Sequence, residues 1–293
     1  MRLGLDLGGT KIEIVALADD RAELLRRRVP TPRGDYPATL TVIAGLVKEA
    51  EDQLGQQGSI GIGIPGAESR STGLIKNANS TWLIGKPLRG DLETLLQREV
   101  RLANDANCFA LSEAIDGAAA GAAVVFGVIL GTGVGGGIIV RGKILTGANA
   151  IAGEWGHNRL PGDESEWPDC YCGRKGCVET FLSGPGMKRD HAKATGELLD
   201  PEEIAARAAA GDAACEQTLR RYEQRLARAL AQVVNILDPD AIVLGGGLSN
   251  LARLYENVPK LWGAHVFSDQ IATGFLKNRH GDASGVRGAA WLW

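Results

Sequence analysis

Apolar residues alternate at Leu3, Leu5 and Leu7, stop at Gly8-Gly9-Thr10-Lys11, and resume at Ile12, Ile14 and Val15. A period of two on both sides of a glycine turn predicts an antiparallel hairpin. Residues 37–57 carry apolar side chains at helical spacing, and Ile60-Gly61-Ile62-Gly63-Ile64-Pro65-Gly66 reads as a buried strand running into a tight turn. A polar loop, Asn77-Ala78-Asn79-Ser80-Thr81-Trp82, precedes a helix near 91–98 and a short strand at 100–103. Asn104-Asp105-Ala106-Asn107 then opens a helix predicted to reach Ala120. From Leu130 the opening pattern recurs as strand, glycine turn, strand up to Ile144. A long helical region over 201–237 is interrupted at Gly211-Asp212, a strand follows at 241–244, and a third glycine turn, 245–249, leads into a helix. Residues 284–293 read as a terminal helix folding back on the first half.

The turns carry the chemistry. Gly131-Thr132-Gly133-Val134-Gly135-Gly136 satisfies the dinucleotide pattern literally, but that fingerprint must open a helix and here a strand follows. Neither hairpin has the Walker spacing, so a P-loop kinase is excluded. Two hairpins, each offering turn amides and a threonine hydroxyl, instead suit a nucleotide clamped between like halves, with Asp6 placed for a magnesium ion. At Gly246 and Gly247 no side chain would keep the backbone from an adenine or ribose. Asp105 reads equally as a helix cap or as a general base at a strand's carboxyl end.

His157 precedes Cys170, Cys172 and Cys177 within twenty-one residues, a ligand set that suits tetrahedral zinc. Cys170 and Cys172 are too close in sequence for an unstrained disulfide. Glu154, three residues before His157, and Glu179, two beyond the last thiol, fit either a site for a polyhydroxylated ligand or a solvated acidic surface. At 293 residues and net charge −3 the chain suits one large or two medium domains, with no pull toward nucleic acid or membranes. Five cysteines, an odd number, fit a reducing cytoplasm. The uncharged run 117–140 is too rich in glycine and alanine to make a good membrane span.

Together Asp6-Leu7-Gly8-Gly9-Thr10-Lys11, Asn104-Asp105-Ala106-Asn107, Gly131-Thr132-Gly133, Glu154-Trp155-Gly156-His157 and Cys170-Tyr171-Cys172-Gly173-Arg174-Lys175-Gly176-Cys177-Val178-Glu179 resemble the ROK family of sugar kinases and repressors. The resemblance implies the α/β actin/hexokinase-like (ribonuclease H-like) duplicated ATPase fold, with two domains around a cleft. The expected division is 1–115, completed by 284–293, and 116–283 with the zinc loop. It implies Asp105 as the base, with Gly66, Asn79, Asn104, Glu154, His157 and Glu179 on the sugar. Phosphate and nucleotide contacts are expected from Asp6, Gly8, Gly9, Thr10, Lys11, Gly131, Thr132, Gly133, Gly135, Gly246 and Gly247. ATP, Mg2+ on Asp6, and Zn2+ on His157, Cys170, Cys172 and Cys177 complete the expectation, together with a homodimer. The repressors carry a DNA-reading domain ahead of a hairpin that here starts at residue 6, and a pure sugar sensor would have lost the base. An enzyme without nucleic-acid or membrane partners is therefore expected. Residues 76–83 and 284–293 are similar to bacterial fructokinases of the manno(fructo)kinase type. Fructose is thus the first expectation, mannose beside it and N-acetylglucosamine the alternative, phosphorylated at the 6-hydroxyl.

Overall fold

The computed structural model of the protein describes residues 1–78 and 80–293. Its first half is built on β1 (Arg2–Leu7), β2 (Lys11–Leu17) and β3 (Glu23–Pro30), followed by α1 (Tyr36–Leu54) and β4 (Ser59–Ile64). A small ribbon, β5 (Ala67–Glu68) with β6 (Ile75–Lys76), then leads through α2 (Leu88–Leu96) to β7 (Val100–Asn104) and α3 (Asp105–Ile115). The second half repeats the plan with β8 (Val124–Leu130), β9 (Val134–Val140) and β10 (Lys143–Ile144). Helices α4 (Val178–Leu182), α5 (Gly184–Thr195), α6 (Pro201–Ala209) and α7 (Ala213–Leu237) follow, then β11 (Ala241–Gly245), α8 (Arg253–Trp262), β12 (Gly274–Lys277) and α9 (Ser284–Ala290).

Two five-stranded sheets result among the described residues, in the orders β3-β2-β1-β4-β7 and β10-β9-β8-β11-β12. In each, the first three strands pair antiparallel and the last two join parallel, so the halves share one topology. The alternation seen in the sequence is the register: Leu3, Leu5, Ile12, Ile14, Ile60 and Ile62 are fully buried in the first core, as are Val128, Leu130, Leu226, Leu230, Ile242 and Leu244 in the second. Each such side chain contributes roughly 1.5–3 kcal/mol on leaving water.

The helices that end the two halves cross over. α3 follows the first sheet's last strand, yet its Phe109, Ala110 and Ala114 pack with Val125, Ile139 and Val243 of the second. α9 follows the second sheet's last strand and lies on β1, β2 and β4 of the first. Glycines make these approaches possible. A Cβ on Gly61 would sit 1.9 Å from the Ala289 carbonyl, one on Gly4 2.1 Å from that of Val286, and one on Gly127 2.5 Å from the Ala110 methyl. The terminal segment therefore folds back on the first sheet as expected.

One expectation fails. α3 ends at Ile115 and not near Ala120. The buried carboxylate of Glu113 accepts a bond from the Ala118 amide at 2.8 Å, turning the chain, and also from the Arg279 amide and the Ser284 hydroxyl. A Cβ on Gly117 would strike that carboxylate at 2.3 Å. No helix among the described residues is long and apolar enough to cross a membrane.

Candidate active site

The first hairpin turn is held from outside. Gly8 donates to the Lys11 carbonyl, Thr31 Oγ1 to the Gly8 carbonyl and Arg33 Nε to the Gly9 carbonyl. Gly8 and Gly9 line a cavity of about 280 Å³ with Asp6, Asp105, Ile129, Gly246, Asp282 and Gly285. Asp6 ends its strand here, and burial, then the nearby charges of Asp105 and Glu13, push its carboxyl up to about 7. Lys11 opposes that shift. A raised carboxylate among other carboxylates marks a site short of positive charge, which fits a hard cation and its phosphates.

Asp105 opens α3, and the cap is its neighbour: Asn104 Oδ1 accepts the Ala106 amide at 2.9 Å while Asn104 Nδ2 donates to the Gly66 carbonyl at 3.0 Å. Gly66, at φ +79°, could carry no side chain, because a Cβ would lie 2.4 Å from the Lys76 carbonyl. The Asp105 side chain is open to water, and the neighbouring cleft walls desolvate it in part. That loss raises its pKa above the ordinary aspartate value; the Ala106 amide opposes the rise and Glu154 reinforces it. Asn104 and Glu154 in turn line a second cavity of about 620 Å³ between the halves. Asp105 is thus at the junction of the hairpin cavity and the space facing Glu154.

On the second half, the segment bearing Glu154 and His157 lies directly on β9. Gly136 and Gly156 allow the contact, since added Cβ atoms would meet the Gly153 and Val134 carbonyls at 2.7 and 2.2 Å, and Trp155 Nε1 donates to the Gly135 carbonyl. The segment forms a single 3-10 turn at Trp155–His157 with Glu154 as its cap. Three-residue spacing eclipses side chains in such a turn, so Glu154 and His157 share a side. Glu179, in the first turn of α4, accepts the Val134 amide at 2.9 Å and so ties the thiol loop to the second hairpin. The turn of that hairpin is also held by the Gly184 amide on the Gly131 carbonyl, and Ile129 and Gly246 rather than Gly131, Thr132 or Gly133 face the Asp6 cavity. Gly135 packs against Ala106, Thr10 and Thr132 are exposed, and Gly247 begins the turn after β11. Asn79 lies outside the described residues.

The ligand atoms of His157, Cys170, Cys172 and Cys177 all lie within 4.8 Å of one another. Cys170 Sγ is 3.6 Å from His157 Nδ1, and Cys172 Sγ is 3.6 Å from Cys177 Sγ. With metal–sulfur bonds of about 2.3 Å, a tetrahedron's edge is about 3.8 Å, so this donor set fits zinc in both chemistry and spacing. All five cysteines are free.

Sequence reasoning missed Tyr171, whose hydroxyl is 3.0 Å from His157 Nε2. Partial desolvation, then the charges of Glu179, Cys170 and Glu154, push its pKa up to about 12. It also missed Asp282 in the Asp6 cavity and Glu113 behind it. An aromatic residue set between two ligand thiols was the available signal for Tyr171. Nothing local marks the other two.

A family model described as ROK family matches residues 2–293. N-acetyl-D-glucosamine kinase of Yersinia pseudotuberculosis serotype O:1b (strain IP 31758) is 43% identical over 299 residues, covering 100% of this chain and 98% of the relative. Among solved structures, a ROK hexokinase from Thermus thermophilus superposes with a TM-score of 0.89 at 32% identity, covering 99% of this chain and 96% of the other. A ROK family glucokinase from Streptomyces griseus, in complex with glucose and AMPPNP, gives 0.78 at 28% identity, with 99% and 98% covered.

Proposed function

The chain belongs to the ROK family as a sugar kinase, and from that premise we propose that it transfers the γ-phosphoryl group of ATP to the 6-hydroxyl of N-acetylglucosamine. The observation that carries the kinase chemistry is the position of Asp105, between the cavity holding Asp6, Gly8 and Gly9 and the wall bearing Glu154. The sugar follows from the whole chain. The fructose-first expectation rested on two short segments, whereas full-length relatives at 42–44% identity are N-acetyl-D-glucosamine kinases. N-acetylglucosamine therefore moves ahead of fructose and mannose.

In this reading Asp105 accepts the proton of the attacking hydroxyl, a contribution of about 100- to 10,000-fold. Burial makes its carboxylate more basic, which suits it to take a proton from an alcohol, and turnover is lost as pH falls through its raised pKa. Asn104, tied to Gly66, with Glu154, His157 and Glu179, orients the sugar so that one hydroxyl meets the base. With the Gly8 amide taken by the Lys11 carbonyl, the Gly9 backbone and the Lys11 ammonium are the groups of this turn left to meet the phosphates. Asp6 is the residue that would hold Mg2+, which when bound would supply neutralisation of phosphate charge. His157 and the three thiols would hold zinc, which when bound would brace the sugar wall, and its removal would loosen the loop. A homodimer and a cytoplasmic location belong to the same reading; the mass in solution checks the first.

A panel of N-acetylglucosamine, glucose, mannose and fructose with ATP tests the assignment. N-acetylglucosamine is expected to have the highest kcat/KM, and a higher value for fructose or mannose would reverse it.

A further inference from the structure

The His157 ring has two nitrogens with different neighbours. Nδ1 faces the Cys170 thiol at 3.6 Å, while Nε2 is 3.0 Å from the Tyr171 hydroxyl, with the two rings edge to face at 5.2 Å and 87°. When a metal takes Nδ1, the ring's single proton resides on Nε2, so the imidazole has one N–H to give. Tyr171 is 84% exposed, which means that little besides this bond and the ring contact fixes its side chain. It projects from the turn between Cys170 and Cys172, so it can swing away without disturbing either thiol.

We propose that Tyr171 is a positioning residue that sets sugar affinity through His157: its hydroxyl and a sugar hydroxyl compete for the same Nε2–H, and binding requires Tyr171 to leave. This rests on the reading above that His157 contacts the sugar, and it adds a determinant that none of the ligand or base residues supplies. One donor cannot serve two acceptors fully, so the bond to Tyr171 is subtracted from the sugar's affinity. The chemical step, which involves Asp105 and the phosphates, is untouched.

Tyr171→Phe removes the competing acceptor and keeps the ring. A net hydrogen bond of ordinary strength corresponds to a change of about three- to tenfold, so the dissociation constant for the sugar, measured calorimetrically without nucleotide, should fall by about that factor. KM for the sugar should fall in parallel, with kcat and zinc content unchanged. Tyr171→Ala should give the same direction. The sugar used is whichever hexose the wild type turns over best, so failure of the N-acetylglucosamine assignment leaves this test intact. Weaker sugar binding in Tyr171→Phe would show that the hydroxyl contacts the sugar, and an unchanged constant would show that it does not compete; either result overturns the proposal. A fall in kcat with KM constant would do so as well.

Discussion

The two halves share a topology strand for strand, yet they are stabilised and equipped differently. The first hairpin carries Asp6 next to the end of its first strand and is buttressed by neutral and cationic side chains, Thr31 and Arg33, from a loop of its own half. The second hairpin has no carboxylate at the equivalent strand end. Its turn is held by Glu179 and Gly184, which start the two helices that follow the thiol-bearing loop. Duplication therefore supplies a frame in which the first turn and the end of the second half's first strand meet at one cavity, and the candidate chemistry arises where the copies diverge. One half presents Asp6 and a glycine turn to a cavity, while the other presents a wall beside four clustered side chains that could hold a metal. Asp105 belongs to both, since it directly follows the last strand of the first sheet and starts a helix packed on the second.

The sharpest break in that comparison is at the shared residue. Asp105→Asn should lower kcat by about a thousandfold while sugar affinity changes less than about threefold. Single-turnover and binding measurements separate the two, and residual activity above a tenth would move the base elsewhere. Next in size is the half that carries the candidate zinc site. Stripping zinc with a chelator, or Cys177→Ser, should weaken sugar binding about 10- to 100-fold. Amide exchange should quicken at 153–179 and around Val134 but not in β1, β2 or β4. Equal loosening of both sheets would mean that the halves are not braced independently.

Much of this frame was legible because it rests on local rules. Alternation with period two marked the first hairpin, and the glycine turns marked where both reverse. His157 and the three thiols announced themselves by ligand type and spacing. What could not be read was set by partners distant in the chain. α3 stops at Ile115 because Glu113 accepts from residues near 118 and 279–284, overriding the helix propensity of the alanines that follow. Asp282 reaches the Asp6 cavity only because α9 crosses to the other sheet. Tyr171 was hidden for the opposite reason, since its neighbours are so plainly ligands that it reads as a spacer.

The crossed helices allow a like-for-like test of the two sheets. Gly61→Ala places a methyl against the fixed Ala289 carbonyl, and Gly127→Ala places one against the Ala110 methyl at a longer 2.5 Å. The first should cost about 3 kcal/mol and the second about 2. Urea midpoints will rank them. A Gly61→Ala protein as stable as the wild type would show that α9 is not seated on the first sheet as described.

The smallest effect concerns the first half alone and comes from a carboxyl group whose charge its surroundings disfavour. Asp6 has an ordinary pKa of 3.8 when unfolded and about 7 in the folded chain, because burial and neighbouring carboxylates disfavour its charge. Between those values the folded state holds a proton that the unfolded state has released. Stability from this group is thus full below about pH 4 and lost as pH rises through 7. Asp6→Asn removes the penalty. Without metal or nucleotide, the variant should melt a few degrees above the wild type at pH 8, about 2 kcal/mol after allowing for partial solvent screening, and the gap should close toward pH 4. Saturating Mg2+ and nucleotide should narrow the gap at pH 8 by neutralising the wild-type carboxylate, whereas the second half's carboxylates should show no such coupling. A gap that persists at pH 4, or that ignores the metal, would assign the strain to packing around β1 rather than to charge.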